Sequence, residues 1–115
     1  MAALGVKKIL AVGQTTKLND ALVTGTGTLD FQIPAHTNAE SDFSALFQAV
    51  GTLTTLVCDL QFSLDGGTTF NTFVANLLVA ATPFKIVTPI IAGGVIWRLN
   101  ITTASGSQDF WVAIN

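Results

Sequence analysis

The sequence predicts an all-β fold: a single antiparallel β-sandwich, Greek-key or jelly-roll-like, of about seven or eight strands with an N-terminal arm. Three observations predict it. Apolar residues recur at every second position in several stretches, the period that sends alternate side chains to opposite faces of a strand. Glycine-rich turn signals separate those stretches: Gly25-Thr26-Gly27, Asp65-Gly66-Gly67, Gly93-Gly94 and Ser105-Gly106-Ser107. Sixteen threonines add β-branched side chains that suit a pleated surface.

Residues 1–20 are the least patterned and are expected to form an arm reaching a neighbour, or an edge strand. They hold Lys7, Lys8 and Lys17, three of the five cations. The sandwich domain is expected over residues 21–115. Its first strand sets Leu29, Phe31 and Ile33 against Asp30 and Gln32. Asn38-Ala39-Glu40-Ser41-Asp42 has the composition of a helix cap, but Phe43–Val50 runs straight into the next strand and is read as extended. Leu56, Cys58, Leu60, Phe62 and Leu64 are expected inside, with Val57, Asp59, Gln61 and Ser63 outside. Val95, Trp97, Leu99 and Ile101 repeat the pattern against Ile96, Arg98, Asn100 and Thr102. Phe110–Ile114 is a closing strand too apolar to assign a face.

Composition narrows the function. Half of the 115 residues are hydrophobic and only 10% are charged, against about 25% in an ordinary soluble domain. Such a chain is not disordered. Five basic residues against seven acidic ones make no field for nucleic acid or an anionic membrane. The N-terminal residues lack the order of a signal peptide. The uncharged run between Asp65 and Lys85 holds Gly66, Gly67, four Thr, two Asn and Pro83, so no membrane helix is expected there. So sparse a charge cover points to a surface that partly faces other protein.

No catalytic set emerges. The carboxylates Glu40, Asp42, Asp59 and Asp65 fall in loops, turns or polar strand phases, not across a buried cleft. His36 and Cys58 are the only residues of their types and have no metal-ligand spacing, and no EF-hand-like spacing joins Asp30, Glu40 and Asp42. The expectation is therefore no enzyme, no cofactor and no metal. Cys58 reads as a buried apolar residue. Trp97 lies on the core phase of its strand. Trp111 is left as a candidate interface anchor, a role in which tryptophan is over-represented. Arg98, on a polar phase, is a candidate interface cation or the partner of a carboxylate in the same chain.

The most specific local pattern is Ser63-Leu64-Asp65-Gly66-Gly67-Thr68-Thr69-Phe70. It resembles the Asp-box, S-x-D-x-G-x-T-[WF], which recurs on the propeller blades of sialidase-like glycosidases. One box, one arginine and 115 residues do not make such an enzyme. The structural role is a hairpin turn over Ser63, Asp65, Gly66, Gly67, Thr69 and Phe70: the Asp65 carboxylate accepts hydrogen bonds from the turn's backbone amides, the glycines supply positive φ, and Phe70 tucks its ring under the hairpin.

Over residues 44–115 the order of elements is an apolar strand into the Asp65 turn, a Gly-Gly strand carrying Trp97-Arg98-Leu99-Asn100-Ile101, a small-residue turn and a closing strand. It resembles the small β-sandwich virion proteins of tailed bacteriophages, capsid decoration (cement) proteins and tail-associated modules among them. The resemblance implies a structural protein made in the bacterial host cytoplasm and located on the virion, on the capsid surface before the tail. It implies a homo-oligomer, a trimer in first place, bound to the major capsid protein or other virion proteins. Lys7, Lys8, Lys17, Arg98 and Trp111 are then the candidate interface residues. A tail, neck or fibre protein of the same fold, or a carbohydrate-binding module using Trp111, are the alternatives.

Overall fold

A computed structural model describes residues 3–33, 43–52, 54–91 and 93–115. His36, Glu40 and Asp42 lie outside the described residues. The chain is all-β, with nine strands among the described residues: β1 (Lys8–Ile9), β2 (Thr15–Lys17), β3 (Gly27–Gln32), β4 (Phe43–Gly51), β5 (Thr55–Ser63), β6 (Asn71–Val79), β7 (Phe84–Ile90), β8 (Ile96–Ser105) and β9 (Gln108–Ile114). Two sheets form, of order β1-β3-β8-β5-β6 and β2-β9-β4-β7. The region 43–50 is strand, and the count exceeds the expected seven or eight because residues 8–9 and 15–17 each add a short edge.

The pairing has a simple logic. β5 pairs with β6, β4 with β7, β3 with β8 and β2 with β9, all antiparallel. These are the nested pairs of one long hairpin whose tip is the β5–β6 turn. Successive pairs alternate between the sheets, which rolls the hairpin into a jelly-roll sandwich. Only β1, parallel to β3, stands outside the scheme.

The core forms where the inward phases of both sheets meet. Leu29, Phe31 and Ile33 of the β3 region, Leu56, Cys58 and Leu60 of β5, and Val95, Trp97, Leu99 and Ile101 of the β8 region are all buried. From the facing sheet come Phe43, Ala45, Phe47 and Ala49 of β4 and Phe110, Val112 and Ile114 of β9. One expectation is corrected. The inward phase of β5 does not run to Leu64, which is exposed, whereas Ser63 is buried. Register shifts between Cys58 and Leu60 and between Leu60 and Gln61 break the alternation on the β6 side. Asp59 caps the irregularity by accepting a 2.7 Å hydrogen bond from the Asn76 amide, where φ is +53°.

Residues 3–20 lie along the body. Leu4 and Leu10 donate backbone hydrogen bonds to Thr28 and Gln32, and Leu18 donates to Phe110. Leu10 and Leu18 reach the core at 1% exposure each. The segment thus supplies the first edge strand of each sheet. Gly106 closes the opposite end at φ +81°, its Cα facing the Thr52 carbonyl so closely that a Cβ would sit 1.7 Å from that oxygen. Only glycine fits there.

Candidate interaction surface

The β5–β6 turn is built as its residue types require. Ser63 Oγ donates to Asp65 Oδ1 at 2.7 Å, and the Gly67 amide donates to Ser63 Oγ at 2.9 Å. The Thr69 amide reaches the same Asp65 oxygen at 2.9 Å. Gly66 and Gly67 take φ of +77° and +96°. The Thr69 amide first, and the Ser63 hydroxyl second, hold the Asp65 carboxyl at about 2, below its ordinary 3.8. Since the folded value lies below the unfolded one, this contribution to stability is whole above about pH 4. It drains away as pH falls through 4 toward 2. Asp65→Asn keeps an oxygen for the Thr69 amide but removes the titration. We expect its melting temperature, followed from pH 6 to pH 2, to fall less steeply than that of the wild type below pH 4. Parallel curves would sink this account of the turn.

Phe70 anchors the turn through Arg98. The guanidinium lies 3.6 Å from the Phe70 ring centroid, a cation–π contact. Arg98 also grips Asp30, directly across from it on β3, with two hydrogen bonds of 2.7 and 3.0 Å. Both side chains keep about a quarter of their exposure. Arg98 is thus engaged within its own chain, on the outer face of the five-stranded sheet, where its neighbours are Gln61 and Asn100. That face is mainly polar: Asp30, Gln32, Asp59, Gln61, Arg98, Asn100 and Thr102 point from it, with Val57, Ile96 and the exposed Ile9 of the β1 edge among them.

The other candidate interface residues separate. Lys7 donates to Gln32 at 3.2 Å, and Lys8 is paired with Asp20, both at the β1 edge. The Lys8 ammonium, and then the Val6 amide, hold the Asp20 carboxyl below its usual range. Lys17 stands directly across from Trp111 on the outer face of the four-stranded sheet. Trp111 is half-buried and has Gln48 on its other side. Lys17 and Trp111 are therefore together, and Arg98 lies on the opposite side of the sandwich.

The structure adds residues that alternation did not single out. On the outer face of the four-stranded sheet, Leu46 and Val50 of β4 and Phe84 and Ile86 of β7 are 47%, 47%, 55% and 57% exposed. Leu46 sits beside Ile86 and Ala113, and Gln48 beside Phe84 and Trp111, so these side chains form one apolar patch. The signal in β4 was partial, since its outward phase alternates Ser44, Leu46, Gln48 and Val50. At the β6–β7 flank, a wholly apolar cleft of about 130 Å³ is lined by Phe62, Leu64, Phe73, Ile91, Val95 and Trp97.

Set against models of protein families, curated proteins and solved structures, the chain matches none of them. Its own geometry carries the argument. Among the described residues no three His, Cys, Asp or Glu side chains gather as a metal site would require. Cys58 is buried, and burial first, with the neighbouring Asp59 charge second, pushes its thiol pKa far up, so it is not a ready nucleophile. What the molecule presents is a sandwich with one mainly polar outer face and one on which Leu46, Val50, Phe84, Ile86 and Trp111 stand among polar residues.

Proposed function

We propose that this chain is a non-enzymatic structural protein of a tailed-phage virion, a decoration or cement protein that assembles with itself and binds the capsid lattice. The observation that carries the reading is the unequal pair of outer faces. An antiparallel sheet facing water ordinarily shows polar residues outward. The five-stranded sheet does so over most of its area, whereas the four-stranded one sets exposed Leu46, Val50, Phe84 and Ile86 among its polar positions. An exposed apolar patch of this kind marks a protein–protein contact. The resemblance over residues 44–115 supports a virion as the setting of that contact. A subunit that binds only the assembled shell stabilises it by mass action, which needs area and no chemistry.

The test uses purified protein and expanded empty shells made from the major capsid protein of the same genome. Cosedimentation with the shells, and a higher temperature of shell disruption, are expected. Binding to tail tubes in place of shells would move the protein to the tail. Glycan-array binding lost on Trp111→Ala would replace the reading with a carbohydrate-binding module.

A further inference from the structure

The apolar face of the four-stranded sheet points to its own occupant, and we infer that a second copy of this chain docks there, sheet on sheet, about a two-fold axis. The inference deepens the self-assembly part of the functional reading and rests on it.

Neither free edge of this sheet suits strand addition: β2 is three residues long, and β7 is blunted. β7 carries Lys85 and Pro89, residues that blunt an edge. Its neighbouring outer face carries Leu46, Val50, Phe84, Ile86, Trp111 and Ala113, with Ser44, Gln48 and Thr88 between and beside them. Contact is therefore through the face.

Charge selects the partner. Among the described residues, the outward-pointing charges within this face are Lys17 and Asp109, one of each sign, both next to Trp111. Asp109 Oδ1 accepts from Asn19 Nδ2 at 2.8 Å within the chain, and a two-fold contact, which repeats every pairing twice, can bring Lys17 of each copy to the same carboxylate of the other. The sheet lattice permits this. Strands lie about 4.8 Å apart and alternate residues about 6.8 Å apart along a strand. With the observed registers, one diagonal axis in the interface plane sets Lys17 opposite Asp109 of the partner subunit. The same axis sets Leu46 opposite the partner's Phe84 and passes close to Trp111, Gln48 and Ile86. The strands of the two sheets then cross at roughly 70°, nearer the orthogonal class of sheet packing than the aligned one. β2, β4, β7 and β9, of three, nine, seven and seven residues, cover roughly 420 Å² of sheet, or about 850 Å² over two copies, somewhat below the roughly 1,000 Å² that a specific contact clears. Apolar, charge-depleted surface is also the character of homodimer interfaces. The two-fold puts an even number of copies in the assembly, in place of the trimer that the resemblance implies.

Sedimentation of the full chain at micromolar concentration should give twice the chain mass. Leu46→Glu, an exposed position, should keep the fold by circular dichroism and weaken the dimer at least about 100-fold, because two carboxylates would be buried. Gln48→Cys should be cross-linked into dimers by a short bismaleimide, and Asn100→Cys, on the polar face, should not. A monomer, a three-chain mass, or a dimer indifferent to Leu46→Glu would overturn the inference. Shell binding is scored separately. A wild-type dimer that ignores shells removes the capsid reading alone, and a wild-type monomer that binds them removes only the two-fold.

Discussion

Removal of residues 1–20 is expected to leave a chain that does not fold cooperatively. The deletion takes β1 and β2 from the two sheets and empties the core positions of Leu10 and Leu18, each 1% exposed. Losing a buried leucine costs about 2–5 kcal/mol once the cavity is counted. Asn19, also buried, goes with them. Its side-chain amide donates to the Ala21 carbonyl and to Asp109 Oδ1 at 2.9 and 2.8 Å, and its oxygen accepts from the Phe110 amide at 2.9 Å. Leaving that buried amide unpaired costs about 1–3 kcal/mol more. Together these losses consume most or all of the about 5–15 kcal/mol that holds a domain folded. Urea denaturation followed by tryptophan fluorescence checks this. A sharp transition in the truncated chain would show that the segment is a dispensable arm. Loss of assembly on truncation would by itself report unfolding, so the interface has to be probed with point substitutions.

Trp97→Ala is expected to be the most damaging single change, at about 3–5 kcal/mol. Trp97 is 2% exposed and packs against Phe73 and Phe62 at centroid distances of 5.4 and 6.3 Å. Its Nε1 donates to the Ile91 carbonyl at 2.9 Å, which fixes the chain leading from β7 to β8. Trp97→Phe retains most of the packing and loses that bond, at a net cost nearer about 1 kcal/mol. Trp111→Ala offers the contrast: its outward position makes it a test of assembly more than of the core. Equal destabilisation by Trp97→Ala and Trp111→Ala, measured in urea, would contradict the assignment of one ring to the interior and the other to the surface.

The fold class was legible because β3, β4, β5 and β8 carry long alternations, and a period of two leaves little choice once one face is buried. The short edges were not. β1 and β2 have two and three residues, and the leucines that tie the segment down, Leu10 and Leu18, lie just beyond them. Leu64 misled because the Asp65 turn recruits Ser63 inward for hydrogen bonding, a demand that hydropathy does not register. Gln108 is completely buried, with neither side-chain polar atom hydrogen-bonded, and no pattern reading would put a glutamine there. The parts of the turn were readable from its motif. The Phe70–Arg98–Asp30 stack was not, since it joins three elements whose adjacency only the topology supplies. Lys17 and Trp111 stood out by residue type, whereas Leu46, Val50, Phe84 and Ile86 were concealed among the core residues of equally apolar strands.

The nested pairing also governs how such a chain finds its fold. Paired residues are 9 positions apart for Phe62 and Asn71, 38 for Phe47 and Lys85, 70 for Leu29 and Leu99, and 98 for Thr15 and Ala113. Closing the longest of these loops from an open coil would make a slow folder. Closed in order from the Asp65 turn outward, each pair encloses only the newly added strands, and the entropy of each step stays that of a short loop. On that order the small polar turn is the expected starting point of the roll, which folding rates of turn and rim variants would check. A defect there is expected to slow folding, while one at the β2–β9 rim is expected mainly to speed unfolding.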